Sequence, residues 1–117
     1  MTALPTRKNP MIYKTYREYG SSAIAVTLDP RCLFELESFR LHLSAGGAAS
    51  NLTITIDSGV NAVYDTVLLT QAMSAITDVD KRWNPTPKLT NELDKIVIAY
   101  TNGGSATWGM EITYKEL

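Results

Sequence analysis

From Ser22 onward the hydrophobic pattern has a period of two, and it keeps that period almost to the last residue. Successive side chains of a strand point to opposite faces, so this alternation describes strands with one buried and one wetted face. Ile24, Val26 and Leu28 form the first such run, which ends at Asp29-Pro30, a turn signal. In residues 33–43, Phe39, Leu41 and Leu43 oppose Ser38, Arg40 and His42, while Leu36 falls out of phase with Phe39. One extra residue flips the facing of a strand, so a β-bulge around Glu37 and Ser38 is expected to restore the register. Leu52, Ile54 and Ile56 alternate with threonines and close at Asp57-Ser58-Gly59. Val63, Val67 and Leu69 then oppose Tyr64, Thr66 and Leu68. Residues 78–87 carry Trp83, Pro85 and Pro87, and they read as an edge strand giving way to a loop, because proline cannot donate to a ladder. Finally Ile96, Ile98 and Tyr100 are followed by Asn102-Gly103-Gly104-Ser105 and by Trp108, Met110, Ile112 and Tyr114. Two alternating runs around a glycine-rich loop predict a hairpin.

About seven or eight short strands with turn signals between them predict an all-β antiparallel sandwich of jelly-roll or immunoglobulin kind. The expected core is Ile24, Val26, Phe39, Leu41, Leu52, Ile54, Ile56, Val67, Leu69, Ile96, Ile98, Trp108, Met110 and Ile112. At 117 residues the chain is one domain with enough core to need no staple. Its single cysteine, Cys32, offers no intrachain disulfide and reads as a small buried hydrophobe. That usage fits assembly in a reducing cytoplasm. No apolar run approaches the roughly 18 residues of a membrane helix, and no signal peptide is expected.

Residues 1–21 read differently, as an arm attached to a body over residues 22–117. The first twenty residues hold Arg7, Lys8, Lys14 and Arg17 against Glu18 alone, a net charge of +3, and the remainder has a net of −4. A basic segment on an acidic body suits assembly. Tyr13, Tyr16 and Tyr19 fall three apart, the spacing of one face of a short helix over 11–19, with Gly20 as its stop. A helix so short needs something to dock on. The arm is therefore expected to pack on the body or on a neighbouring subunit through Arg7, Lys8, Tyr13, Lys14, Tyr16, Arg17 and Tyr19. Deleting it is expected to leave the body folded.

Candidate chemistry is sparse. Nucleophilic catalysis needs a base beside the nucleophile, and the single histidine, His42, lies in the outward phase of its strand. Asp78 and Asp80 point the same way but are followed at once by Lys81 and Arg82, the pattern of a solvated turn. One cysteine and one histidine exclude a structural zinc site. Asp57 and Asp65 offer partial calcium ligation, against the simpler reading of a hairpin turn. The glycine pairs lack the lysine and helix of a phosphate loop. No catalytic residue and no cofactor is expected. Trp83, flanked by Arg82 and Asn84, is the candidate exposed aromatic, for an interface or a sugar.

Two stretches resemble small jelly-roll virion proteins of tailed bacteriophages. One is Leu52-Thr53-Ile54-Thr55-Ile56-Asp57-Ser58-Gly59 followed by Val63-Tyr64-Asp65-Thr66-Val67-Leu68. The other runs from Asp94 to Gly104 and then Trp108-Gly109-Met110-Glu111-Ile112-Thr113-Tyr114. The resemblance spans residues 35–114 and consists of strand-and-turn pattern. It implies a virion component assembled in the host cytoplasm, a capsid decoration (cement) protein or a head or tail fibre module, with no catalytic residues. Implied partners are capsid protein on the outer head surface and copies of the chain itself, without direct contact to nucleic acid or membrane. The alternative is a carbohydrate- or receptor-binding module of a phage fibre or tail.

Overall fold

The structure, a computed structural model, describes residues 12–117. Among them are nine strands and one turn of 3-10 helix: β1 (Ile12–Gly20), β2 (Ile24–Leu28), β3 (Phe34–Leu43), β4 (Asn51–Asp57), the helical turn (Ala62–Tyr64), β5 (Thr66–Ala72), β6 (Asp78–Arg82), β7 (Lys88–Leu89), β8 (Lys95–Tyr100) and β9 (Trp108–Glu116). They form two antiparallel sheets. The first has the order β1-β9-β3-β6, with β7 also on β3; the second has the order β2-β8-β4-β5.

The pairing is nested. β1 pairs with β9, β2 with β8, β3 with β6, and β4 with β5. Additional pairings of β3 with β9 and β4 with β8 roll this long antiparallel ribbon into two layers. That winding is a jelly roll. The faces follow the alternation: Phe39, Leu41, Leu43, Trp108, Met110 and Ile112 from one sheet meet Ile24, Val26, Leu52, Ile54, Ile96 and Ile98 from the other, all buried. Phe34 and Tyr114 add an edge-to-face contact at 5.5 Å.

The bulge expected near Glu37 is present: the β3–β9 register shifts between Leu36 and Ser38, and Leu36 and Phe39 are both buried. A second bulge was not foreseen. The β4–β5 register shifts between Ile54, opposite Leu69, and Thr55, opposite Val67, so Leu68 is the extra residue. It turns Val67 outward and overturns its place in the expected core. Ile56 and Leu69 are half-buried against that core.

Two further expectations are corrected. Residues 12–20 are a strand rather than a helix. The nine-residue edge of β9 gives them a complete ladder, which outweighs a helix too short to stand alone. The sandwich therefore begins at Ile12, inside the expected arm. β8 and β9 are not a hairpin either, since they belong to different sheets and the 101–107 connection crosses between the layers. Left-handed backbone there falls on Asn102 and Ser105 rather than on Gly103 or Gly104.

Candidate interaction surfaces

The outward residues of the first sheet stand in rows across its strands. One row is Arg17, Glu111, Arg40, Asp80, with charge signs alternating along it. The next is Tyr19, Gly109, His42, Asp78. Arg17 Nε lies 3.5 Å from Glu111 Oε1, and His42 Nδ1 lies 2.7 Å from Asp78 Oδ1. The bond to His42, and a second from Thr77 at 2.8 Å, hold the Asp78 carboxyl below its usual range. Gly109 has no side chain, and a Cβ placed there would meet nothing within 4 Å. The result is a concavity of about 670 Å³ bordered by Arg17, Tyr19, Arg40, His42, Asp78 and Glu111.

The residues expected to form an interface divide between two faces. Tyr13, Arg17 and Tyr19 lie on the outer face with Tyr19 84% exposed, whereas Tyr16 turns inward against the core. Lys14, in the phase of Tyr16, remains exposed and reaches Glu116 at 3.3 Å. Arg7 and Lys8 lie outside the described residues. Trp83 is not an exposed aromatic: it continues the inward phase of Val79 and is half-buried against the core, at the edge of the sheet opposite β1. An adjacent arginine says nothing about facing; the phase of β6 would have found it.

The surface that sequence reasoning missed is an apolar tip between β4 and β5. Val60, Val63, Tyr64, Val67 and nearby Leu93 are each between 45% and 79% exposed. Side chains fix the backbone beneath them. Asp65 accepts the Ser58 N–H at 2.8 Å, Asn61 accepts the Val63 N–H at 3.0 Å, and buried Asp94 accepts the Gly59 and Asn91 N–H groups at 2.8 and 3.2 Å. Gly59 packs so closely on Leu93 that a Cβ would come within 2.5 Å of it. Val63, expected to begin an alternating strand, lies instead in the helical turn, and the missed signal was Val60, an apolar residue inside a polar turn.

The Cys32 thiol donates to Glu116 at 3.4 Å, and burial together with that carboxylate pushes its pKa up, away from the reactive thiolate. Its neighbour is a carboxylate, and His42 is engaged with Asp78. Asp65, weighed as a calcium ligand, spends one oxygen on the loop backbone. Among the described residues no three His, Cys, Asp or Glu side chains gather as a metal site. The chain matches no family model and no curated protein.

Proposed function

We propose that this chain is a non-enzymatic structural subunit of a bacteriophage virion, of capsid decoration type, seated on the outer surface of the head shell through its apolar tip. The observation that carries the reading is the group Val60, Val63, Tyr64, Val67 and Leu93, exposed to water on a backbone already held in place. Clustered apolar exposure of this kind marks a contact surface, and a fixed backbone lowers the ordering cost of binding. Jelly rolls recur in virus capsids and also in lectins, so the fold agrees with the proposal while the tip supplies its content. Ile12 pairs with Glu116, so β1 begins at the end of the sandwich that carries the tip.

The test is co-sedimentation with phage heads. A side chain of this size gains about 1.5–3 kcal/mol on full burial. Val63→Asp combined with Tyr64→Ser is therefore expected to weaken binding at least about a hundredfold while the circular dichroism spectrum is unchanged. Undiminished binding by the folded double variant would overturn the proposal. The concavity beside Tyr19 favours a second reading, a receptor- or sugar-binding module. Under it a glycan array would show binding that Tyr19→Ala removes and the tip variant keeps.

A further inference from the structure

The alternating row on the outer face of the first sheet, read backwards, becomes its own complement. Arg17, Glu111, Arg40 and Asp80 run plus, minus, plus, minus from β1 through β9 and β3 to β6. We propose that a second copy of this chain docks face to face on this sheet. The twofold axis runs along the strands, midway between β9 and β3. The operation keeps each row in place and reverses its order. Arg17 then faces the partner's Asp80, and Glu111 faces the partner's Arg40, with the reciprocal pairs completing four opposite-sign contacts.

The neighbouring row fits the same operation. Tyr19 faces the partner's Asp78, and His42 lies over the hollow that the partner's Gly109 leaves open. Axes placed on a strand or along the row put like charges together, and those midway between β1 and β9 or between β3 and β6 bring only two strands of each copy into opposite-sign contact. An axis along β9 sets Glu111 on its own copy and Arg17 on the partner's Arg40, and an axis along β3 sets Arg40 on itself. An axis along the row sets every residue on itself. Like charges in contact exclude wrong geometries as effectively as opposite charges favour the right one. Strands of the two copies run alongside each other, the aligned class of sheet packing.

The size of the face bounds the strength. Four strands at about 4.8 Å spacing and nine residues at about 3.4 Å rise give at most roughly 590 Å² per copy, and less at β6, which has five residues. A total under about 1,200 Å² belongs to weak or transient association. The dimer is therefore weak and salt-sensitive, since exposed charges are screened within about 8–10 Å. It rests on the first sheet alone and stands whether or not the tip binds a shell.

Sedimentation equilibrium of the full chain tests it. Dimer is expected in low salt, with Kd rising at least about tenfold between 0.05 and 0.5 M salt. Arg40→Glu and Glu111→Arg should each abolish the dimer, because each sets like charges across the axis. Mixed together, the two variants should form a heterodimer, since every contact across the axis is again opposite in sign. This rescue cannot come from a repaired fold, as each chain keeps its own substitution. Gly109→Val, which fills the hollow without touching the interior, should also block association. A wild-type chain that stays monomeric at millimolar concentration in low salt overturns the proposal. So does a dimer indifferent to Arg40→Glu and Glu111→Arg, or a mixture of those two that does not pair.

Discussion

Asn102 ties the 21–22 and 102–106 connections together at the end of the sandwich away from the tip. Its backbone is left-handed, at φ 53°, a conformation asparagine tolerates better than most residues. Its amide nitrogen lies 2.9–3.2 Å from the Ser21, Ser22 and Ala106 carbonyls, and its oxygen accepts the Ala106 N–H at 3.1 Å. Asn102→Asp keeps shape and backbone preference but aims a carboxylate at three carbonyls. Urea denaturation should show a loss of about 2–3 kcal/mol or more, the cost of buried groups left unpaired. Ile54 is fully buried on a strand flanked by β8 and β5. Ile54→Ala should lower stability by about 2–5 kcal/mol in the same assay. Glu35 is an ion-pair hub: Lys115 Nζ lies 3.2 Å away, Thr86 donates at 3.1 Å and Lys88 Nζ is at 3.6 Å. The Lys115 bond foremost, with help from Thr86 and Lys88, holds its carboxyl below the usual range. A depressed carboxyl stabilises the fold above its unfolded pKa, and that stability is lost as pH falls through the depressed value. Glu35→Gln should therefore flatten the loss of stability below about pH 4.5, with the melting temperature against pH as the readout. An acid limb unchanged by the substitution would contradict this.

At the scale of elements, β1 revises what truncation should do. The alternation beginning at Ser22 made residues 1–20 look dispensable. Instead, Ile12 to Gly20 ladder onto β9 along its whole length, and Tyr16 covers part of the core. Removing residues 1–20 would bare a nine-residue edge carrying Trp108, Met110 and Ile112 in its inward phase, the kind of edge that templates aggregation. The truncated chain is expected to be less stable and to aggregate on size-exclusion chromatography. A monomeric product with the parent melting temperature would show that β1 is an optional strap. Most strands were legible because burial on one face leaves a period of two in the residues themselves. β1 was not, since its tyrosines serve both faces: Tyr13 and Tyr19 outside, Tyr16 inside. Val67 misled for a related reason, because alternation cannot reveal a bulge when the extra residue, Leu68, and both its neighbours, Val67 and Leu69, are apolar. β7 is two residues long, and the buried Leu89 sits in it among threonine, proline and lysine with no period at all.

The whole molecule is where sequence reading loses most, because alternation states which way a residue faces and never which strand lies beside it. Ile98 and Met110 were each assigned correctly to the core, yet the strands that carry them were joined as a hairpin and in fact lie in opposite layers. Winding places the 57–66 connection and the start of β1 at one end, with the Asn102 clamp at the other. The apolar tip is thus set apart from the charged face of the first sheet, so the proposed shell contact and the proposed contact with a second copy use different surfaces. An electron cryomicroscopy reconstruction of a phage head carrying the protein would show which end of the sandwich meets the shell. The sandwich is expected to stand on the shell by residues 59–67 and 93, with Val63 and Tyr64 buried in the contact. A reconstruction in which that tip points to solvent, and the shell is met by the 101–107 end or by the outer face of the first sheet, would contradict it.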